Sequence, residues 1–339
     1  MLRNIVNEQV TLGHEIHLIV INDNLNKELH DSLHQHIVFH NMGRKEGSKN
    51  PLPFLQLNLL LRWIHPDVIH LHYSSIARFI FIPSLKEKMC VTQHDVCNAT
   101  NSRFLYKNKR IYAISNTVQE DIRRRTGYRS EVVLNGIYVE QICNDTRERH
   151  GLFKIVQVSR LIHEKKGQHI LIQAIARLVK EGYNQLQLDL IGDGNSREYL
   201  DNLTKQLGVT RYVRFLGAKE QSYIFKHLCE YDLYVQPSIY EGFGLTVTEA
   251  MAAKVPVLVS ENQGPLEIID NGRYGYSFKN QDIEDCADKI RLFLKGMNDA
   301  SIVNKAYQRV LELYNVKVTA GTYLDKYKEF IESGYAKIY

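Results

Sequence analysis

Short apolar runs rich in β-branched residues alternate with helix-period segments along almost the whole of this 339-residue chain. Parallel βα units produce that alternation. A strand covered on both faces reads as a continuous apolar run, and the crossover to its parallel neighbour needs a dozen or more residues, which a helix supplies. Candidate strands in the first half are EIHLIVI, DVIHLH, MCVTQHD, RIYAIS and EVVLNG, and in the second FKIVQVSR, LQLDLIGDG, VRFLG, DLYVQPS, VPVLVS and YGYSF. Between them, QHILIQAIARLVKEG places Ile170, Ile172, Ala174, Ile175 and Leu178 broadly on one helix face, with Gly182 at the C-terminal cap. The pattern predicts an α/β chain with two doubly wound sheets. At roughly 100 to 200 residues per domain, there is material for two cores. The change of domain is expected within YVEQICNDTRERHG, which is polar and lacks strand character, giving domains 1–145 and 146–312. Residues 313–339 then form a closing helix packing back toward the first domain, with Tyr323, Tyr327 and Phe330 at helical spacing as core aromatics.

Composition narrows the class. Apolar residues make up 44% and charged residues 24%, close to a soluble globular average, and five cysteines are too few for a secreted disulfide framework. A reducing cytoplasm is the expected location. No apolar run approaches the roughly 18 residues of a membrane span, and MLRNIVNEQV has Asn and Glu where a signal peptide would be apolar. The net charge of +5 is too small to imply a nucleic-acid partner, yet residues 1–150 hold 19 Lys+Arg against 15 Asp+Glu while the remainder holds 24 against 23. The basic residues bunch at Arg103, Lys107, Lys109 and Arg110, and at Arg123, Arg124, Arg125 and Arg129. Such bunching describes either a solvated helix face or peripheral contact with anionic membrane headgroups or an anionic lipid-linked substrate.

Four segments carry chemistry. In SIYEGFGLTVTEAMAAKVPVLVS, Glu241 sits in a Gly-rich turn and a helix begins near Leu245 or Thr246, with Glu249 in its first two turns. Gly242 and Gly244 let backbone approach a ligand closely, and the helix start offers N–H groups to an anion; Glu249 could equally do no more than complement the helix dipole. In VSRLIHEKKGQHILIQA, Arg160 lies just past a strand and Lys166 immediately precedes Gly167 and a helix. Two cations at the C-terminal end of a strand suit a diphosphate, though a surface turn with ordinary ion pairs would look the same. LIGDGNSREYL is strand, Gly-rich turn and helix, with Gly192 opening the turn. VTQHD ends a strand of the first half with His94, a residue type that is more often structural than catalytic. His30, His34, His36 and His40 lack supporting metal-ligand spacing, and there is no Walker-type phosphate loop, nucleophile elbow or Asp-x-Asp triplet.

Taken in this order, VSRL with KKG, LIGDG, VRFLG, YDLYVQPS, EGFGLTVTEAMAAKVPVLVS and GPLEII, with VTQHD, ISNTVQEDI and VVLNGI before them, resemble glycosyltransferase family 4 of the bacterial surface-polysaccharide type. The resemblance runs from about residue 12 to about residue 290 and centres on the E-x(7)-E pair Glu241 and Glu249. It implies a GT-B fold of two Rossmann-like domains facing a cleft. It also implies retaining transfer of a hexose or N-acetylhexosamine from a nucleotide sugar, expected to be UDP-linked, to a polysaccharide or lipid-linked oligosaccharide acceptor. No cofactor or metal is expected. Arg160 and Lys166 would hold the donor diphosphate, with the amides of Phe243, Gly244 and Leu245 near sugar and phosphate and Gly242 in the same turn. Glu249 and Gly192 would meet the ribose and nucleotide, Glu241 the donor sugar, and His94 would face that sugar from the opposite domain. An epimerase of the same fold or a non-catalytic subunit are the alternatives. The family pattern usually opens with a strand and a Gly-rich loop ahead of the helix found here as LRNIVNEQV, so the first strand and loop of the N-terminal domain are expected to be missing, with the true start upstream of Met1.

Overall fold

The computed structural model describes residues 1–25, 27–98, 102–145, 151–261, 263–297 and 299–337. The chain forms two compact units, Met1–Gly136 with Val316–Tyr339, and Ile137–Asn315. The divisions therefore fall at 136/137 and 315/316 rather than at 145/146 and 312/313, and residues 146–150 of the expected linker lie outside the described residues. Local pairing accounts for the earlier division. Ile137 already belongs to the second unit, donating its amide to the Tyr314 carbonyl at 2.8 Å and bridging to Asn315. Gly136 ends the first unit against the C-terminal helix, where an added Cβ would lie 2.4 Å from Thr319 Oγ1.

The first unit contains β1 (His17–Asn22), β2 (Val38–Arg44), β3 (Ile69–Leu71), β4 (Met89–Gln93), β5 (Arg110–Ala113) and β6 (Glu131–Val132). All pairings are parallel, but they make two sheets, β1-β2 and β3-β4-β5-β6. The single sheet expected for this half is thus split, because among the described strands none bonds to both β1 and β3. Helix Val316–Glu332 belongs to this unit and packs on helix Leu2–Thr11, burying Tyr323 and Phe330 completely. Tyr327 turns its hydroxyl to His70 Nδ1 at 2.5 Å instead of joining an apolar core.

The second unit contains β7 (Phe153–Val158), β8 (Leu186–Ile191), β9 (Val213–Gly217), β10 (Leu233–Gln236), β11 (Val257–Ser260) and β12 (Tyr276–Phe278). They form one parallel sheet in the order β12-β11-β10-β7-β8-β9. Ile155, Leu186, Leu188, Leu190, Leu233, Val235 and Leu258 are essentially solvent-free and meet Leu171, Ile175 and Leu178 of helix Gln168–Lys180. Each such side chain contributes about 1.5 to 3 kcal/mol by leaving water. Strand order reverses between β7 and β10, which are direct neighbours with Leu233 opposite Ile155. In an open parallel sheet that reversal leaves a crevice at the strands' C-terminal ends, since the crossovers wind away from it on opposite faces.

The turn after β8 closes one side of this crevice. Leu161 N–H donates to Asp193 O at 2.9 Å, and a Cβ at Gly192 (φ +138°) would meet Ser159 O at 1.9 Å. Gly192→Ala is therefore expected to lower the melting temperature by several degrees more than Gly208→Ala, where φ is also positive but an added Cβ meets nothing within 4 Å. Thermal unfolding of the two variants side by side checks this.

Candidate functional site

The loops that follow β7 and β10 meet at the crevice. After β7 the chain runs through Ser159, Arg160 and Leu161 into the short helix His163–Lys166; after β10 it runs through Pro237 to Glu241 and into helix Leu245–Ala252. Ile239 N–H donates to Lys165 O at 2.9 Å, and Gln157 Nε2 to Lys166 O at 3.1 Å. Gly167 completes the junction, because a Cβ there would lie 1.8 Å from Pro237 O.

These contacts bring together two of the expected site residues that are far apart in sequence. The Lys166 ammonium forms an ion pair with Glu241 Oε2, with side chains 12% and 17% exposed. Gln236 Nε2 and Ser238 Oγ stand 3.5 and 3.4 Å from the same oxygen. Tyr234 hydroxyl lies 2.5 Å from Gln236 Oε1 and 2.6 Å from Thr246 Oγ1, linking the end of β10 to the first turn of the helix. Arg160 is exposed, and its carbonyl accepts from Gln168 Nε2 at 2.9 Å, so the backbone of this turn is fixed while the guanidinium faces solvent.

The helix starts at Leu245, after Gly244 at φ +116°, with no side-chain cap. The Val247 amide donates back to Gly244 O at 2.9 Å, whereas the amides of Gly244 and Leu245 precede the first hydrogen bond of the helix, and the helix dipole adds a partial positive charge. Gly242, Phe243 and Gly244 are buried; the Phe243 ring packs edge-on to Tyr314 at 5.7 Å, so only its backbone is available to a ligand.

Glu249 lies in the second turn and is buried, with the Gln221 side chain hydrogen-bonded to it. Burial pushes its carboxyl from 4.5 up to about 7, partly offset by that hydrogen bond. The arrangement can offer an anion a lysine, helix amides and an arginine, and can offer hydroxyl donors two carboxylates.

His94 follows β4 in the first unit. Its Nε2 is 2.8 Å from His72 Nδ1, and burial lowers its pKa to about 4. His70 bridges Tyr327 and Thr92, at 2.5 and 2.7 Å, and burial lowers it to about 3. These imidazoles are neutral at pH 7. His70, His72, Gln221, Gln236 and Ser238 were not read from sequence. For His70 and His72 the signal is their alternation within HLH, which turns both rings to one side of the chain at the end of β3.

With a strand reversal in its parallel sheet, and at its mouth one basic turn, one Gly-rich turn and an uncapped helix, the second unit has the architecture of the GT-B fold, an α/β class. The chain belongs to the glycosyltransferases: the family model "Glycosyl transferases group 1" matches residues 139–309 and "Glycosyltransferase Family 4" matches residues 1–141. It is 35% identical over 181 residues to an uncharacterized glycosyltransferase of Methanocaldococcus jannaschii, covering 52% of this chain and 45% of that protein. It is 30% identical over 167 residues to a poly(ribitol-phosphate) α-N-acetylglucosaminyltransferase of Staphylococcus aureus, covering 48% of this chain and 33% of that one. The chain thus spans less than half the length of these relatives. Among solved structures, a glycosyltransferase from Rickettsia africae aligns with TM-score 0.78 at 20% identity, over 97% of this chain and 94% of that one. The Anabaena protein HepE, solved in complex with UDP and glucose, aligns with TM-score 0.78 at 19% identity, over 96% and 95%.

The raised pKa of Glu249 makes stability depend on pH. Glu249 holds its proton more tightly folded than unfolded, so its contribution to stability is full below about pH 4.5 and is lost as pH rises through 7. The loss amounts to at most about 3 kcal/mol. Urea unfolding from pH 5 to 8 is expected to show a decline that Glu249→Gln largely removes.

Proposed function

We propose that this protein is a retaining glycosyltransferase that moves a hexose or N-acetylhexosamine from a UDP-linked sugar to a polysaccharide or lipid-linked oligosaccharide acceptor at the cytoplasmic side of a membrane, forming an α-glycosidic bond. The observation that carries the reading is the junction of Lys166, Glu241 and the uncapped start of helix Leu245–Ala252 at the strand reversal. Family membership and the UDP and glucose bound to HepE support it.

In this reading the diphosphate takes the place of Glu241 as partner of the Lys166 ammonium, while Arg160 and the amides of Gly244 and Leu245 hold its remaining oxygens. As the bond from the anomeric carbon to the diphosphate oxygen breaks, negative charge grows on the leaving group and is met by cations already in place. Glu241, released from Lys166, faces the sugar and steadies positive charge on the anomeric centre. Glu249 accepts from the ribose hydroxyls, which favours its ionised form and offsets the cost of its burial. The turn at Gly192 lies beside the nucleotide, and Gly242 and the Phe243 amide lie beside the sugar. His94, neutral at pH 7, is the group assigned to the reaction from the first unit. Attack by the acceptor hydroxyl on the face from which the nucleotide left, with its proton passing to the departing diphosphate oxygen, retains the configuration. With two cations serving the diphosphate, transfer is expected to persist in chelator.

A thermal-shift panel of UDP, GDP, ADP and CDP and their sugars, without metal, tests the donor. A ligand at a hundred times its dissociation constant stabilises by about 2.7 kcal/mol. UDP compounds should raise the melting temperature, and Arg160→Ala and Lys166→Ala should remove the shift. Glu241→Ala should keep the fold and lose transfer by roughly a hundredfold or more. Binding without turnover on any acceptor would favour a non-catalytic subunit, and interconversion of the UDP-sugar without acceptor an epimerase.

A further inference from the structure

Helix Leu52–Ile64 carries apolar residues around most of its circumference, yet only one side is covered. Phe54, Leu57 and Leu61 are buried, while Leu52, Leu55, Leu59 and Trp63 are 51%, 46%, 67% and 74% exposed. Steps of three, four and four residues put those four on one stripe roughly 80° wide. Asn58 ties the neighbouring segment to the helix, donating to Phe79 O at 2.7 Å and accepting from Phe81 N–H at 3.0 Å. Phe79 stacks on Phe54 at 3.6 Å, Arg78 lies over Phe79 at 4.4 Å, and Phe81 is half exposed.

Charge identifies the occupant. No acidic residue occurs from 47 to 66 or from 68 to 86, whereas Lys49, Arg62 and Arg78 are exposed within those stretches. Half of the residues in the two basic bunches noted in the sequence are paired within the unit: Lys109 with Glu87, Arg110 with Glu131, and Arg124 and Arg125 with Asp121. A second copy seated symmetrically on the stripe would set like charges against one another. An anionic bilayer instead takes leucines and a tryptophan into its interface and pairs its headgroups with the flanking cations. No helix among the described residues is long and apolar enough to cross a membrane, and this 13-residue helix is of a length to lie in the interface.

We propose that the face of helix Leu52–Ile64 carrying Leu52, Leu55, Leu59 and Trp63, with Arg62 and Arg78 beside it, is the surface by which the protein binds anionic lipid bilayers. It deepens the reading of a membrane-side acceptor and gives that acceptor a route to the protein.

Trp63 is the chain's single tryptophan, so its fluorescence reports this face directly. With vesicles of phosphatidylglycerol and phosphatidylcholine, Trp63 emission should shift to the blue and be quenched by brominated acyl chains, and added salt should weaken binding. Leu55→Gln with Leu59→Gln, both at exposed positions, should keep the melting temperature and lower vesicle affinity about tenfold or more, while Leu207→Gln on the second unit should not. Unchanged emission while the protein sediments with vesicles, equal binding by the double variant, or equal binding to pure phosphatidylcholine would overturn the proposal. So would a dimer in sedimentation that shields Trp63 from a water-soluble quencher and ignores vesicles. None of these readouts requires donor or turnover, so loss of the transferase reading would leave them standing, and a transferase acting on a soluble acceptor without binding vesicles would remove only the docking surface.

Discussion

The direct pairing of β7 with β10 is the constraint on which the candidate site depends. Crossovers leave these two strands toward opposite faces of the sheet, so no helix separates the loops at their ends. The loops instead support each other through backbone: Ile239 N–H on Lys165 O, and Pro237 against a residue that tolerates no Cβ, Gly167. Lys166 and Glu241 come together as a consequence. Their ion pair is partly buried, and such pairs earn little net stability once desolvation is charged against them. The geometry is therefore maintained by the sheet and its loops, leaving the two side chains able to exchange partners.

The same economy governs the groups behind the loops. Gln157 and Gln168 are buried polar residues in a largely apolar unit, and both spend their amide donors on the turn Ser159–Lys166: on Ser159 Oγ, on Arg160 O and on Lys166 O. Burying an amide without partners costs about 1 to 3 kcal/mol, so a turn that moved away would strand both. Glu249 is the exception in kind. Its carboxyl is buried with one side-chain donor and shifted toward the neutral form, which makes it the member of this group whose state a bound ligand could change most.

Much of this was legible because periodicity reports burial. The continuous apolar runs around Ile155, Leu188 and Val235 marked β7, β8 and β10, and Gly-rich turns after them marked the loops. β2 is harder to read: VFHNMGR has an edge strand's mixed exposure and neither a continuous apolar run nor strict alternation. The split of the first unit's sheet and the division at Gly136 depend on which backbone groups find partners, which side-chain patterns do not encode. Site residues were found where one segment carried them together, as with Glu241 and Glu249. Their partners were missed where contact joins distant segments: Lys166 as the counterion of Glu241, Gln221 on Glu249, and His72 on His94.

Helix Leu52–Ile64 shows the limit of pattern in its sharpest form. A helix apolar around most of its circumference is expected to be enclosed, because water on either face is unfavourable. Phe54, Leu57 and Leu61 meet that expectation against their own unit, and Leu59 and Trp63 on the other side do not. Periodicity cannot distinguish a face that folding covers from one that association covers, since both are apolar at the same spacing. The distinction comes from what surrounds the face. A core neighbour brings further apolar side chains, whereas here the surroundings are exposed Lys49, Arg62 and Arg78, with Asp67 as the single acidic residue from 47 to 86. An apolar stripe bordered by one sign of charge is complementary to a surface that is apolar within and negative at its edge, which is the physical description of an anionic bilayer.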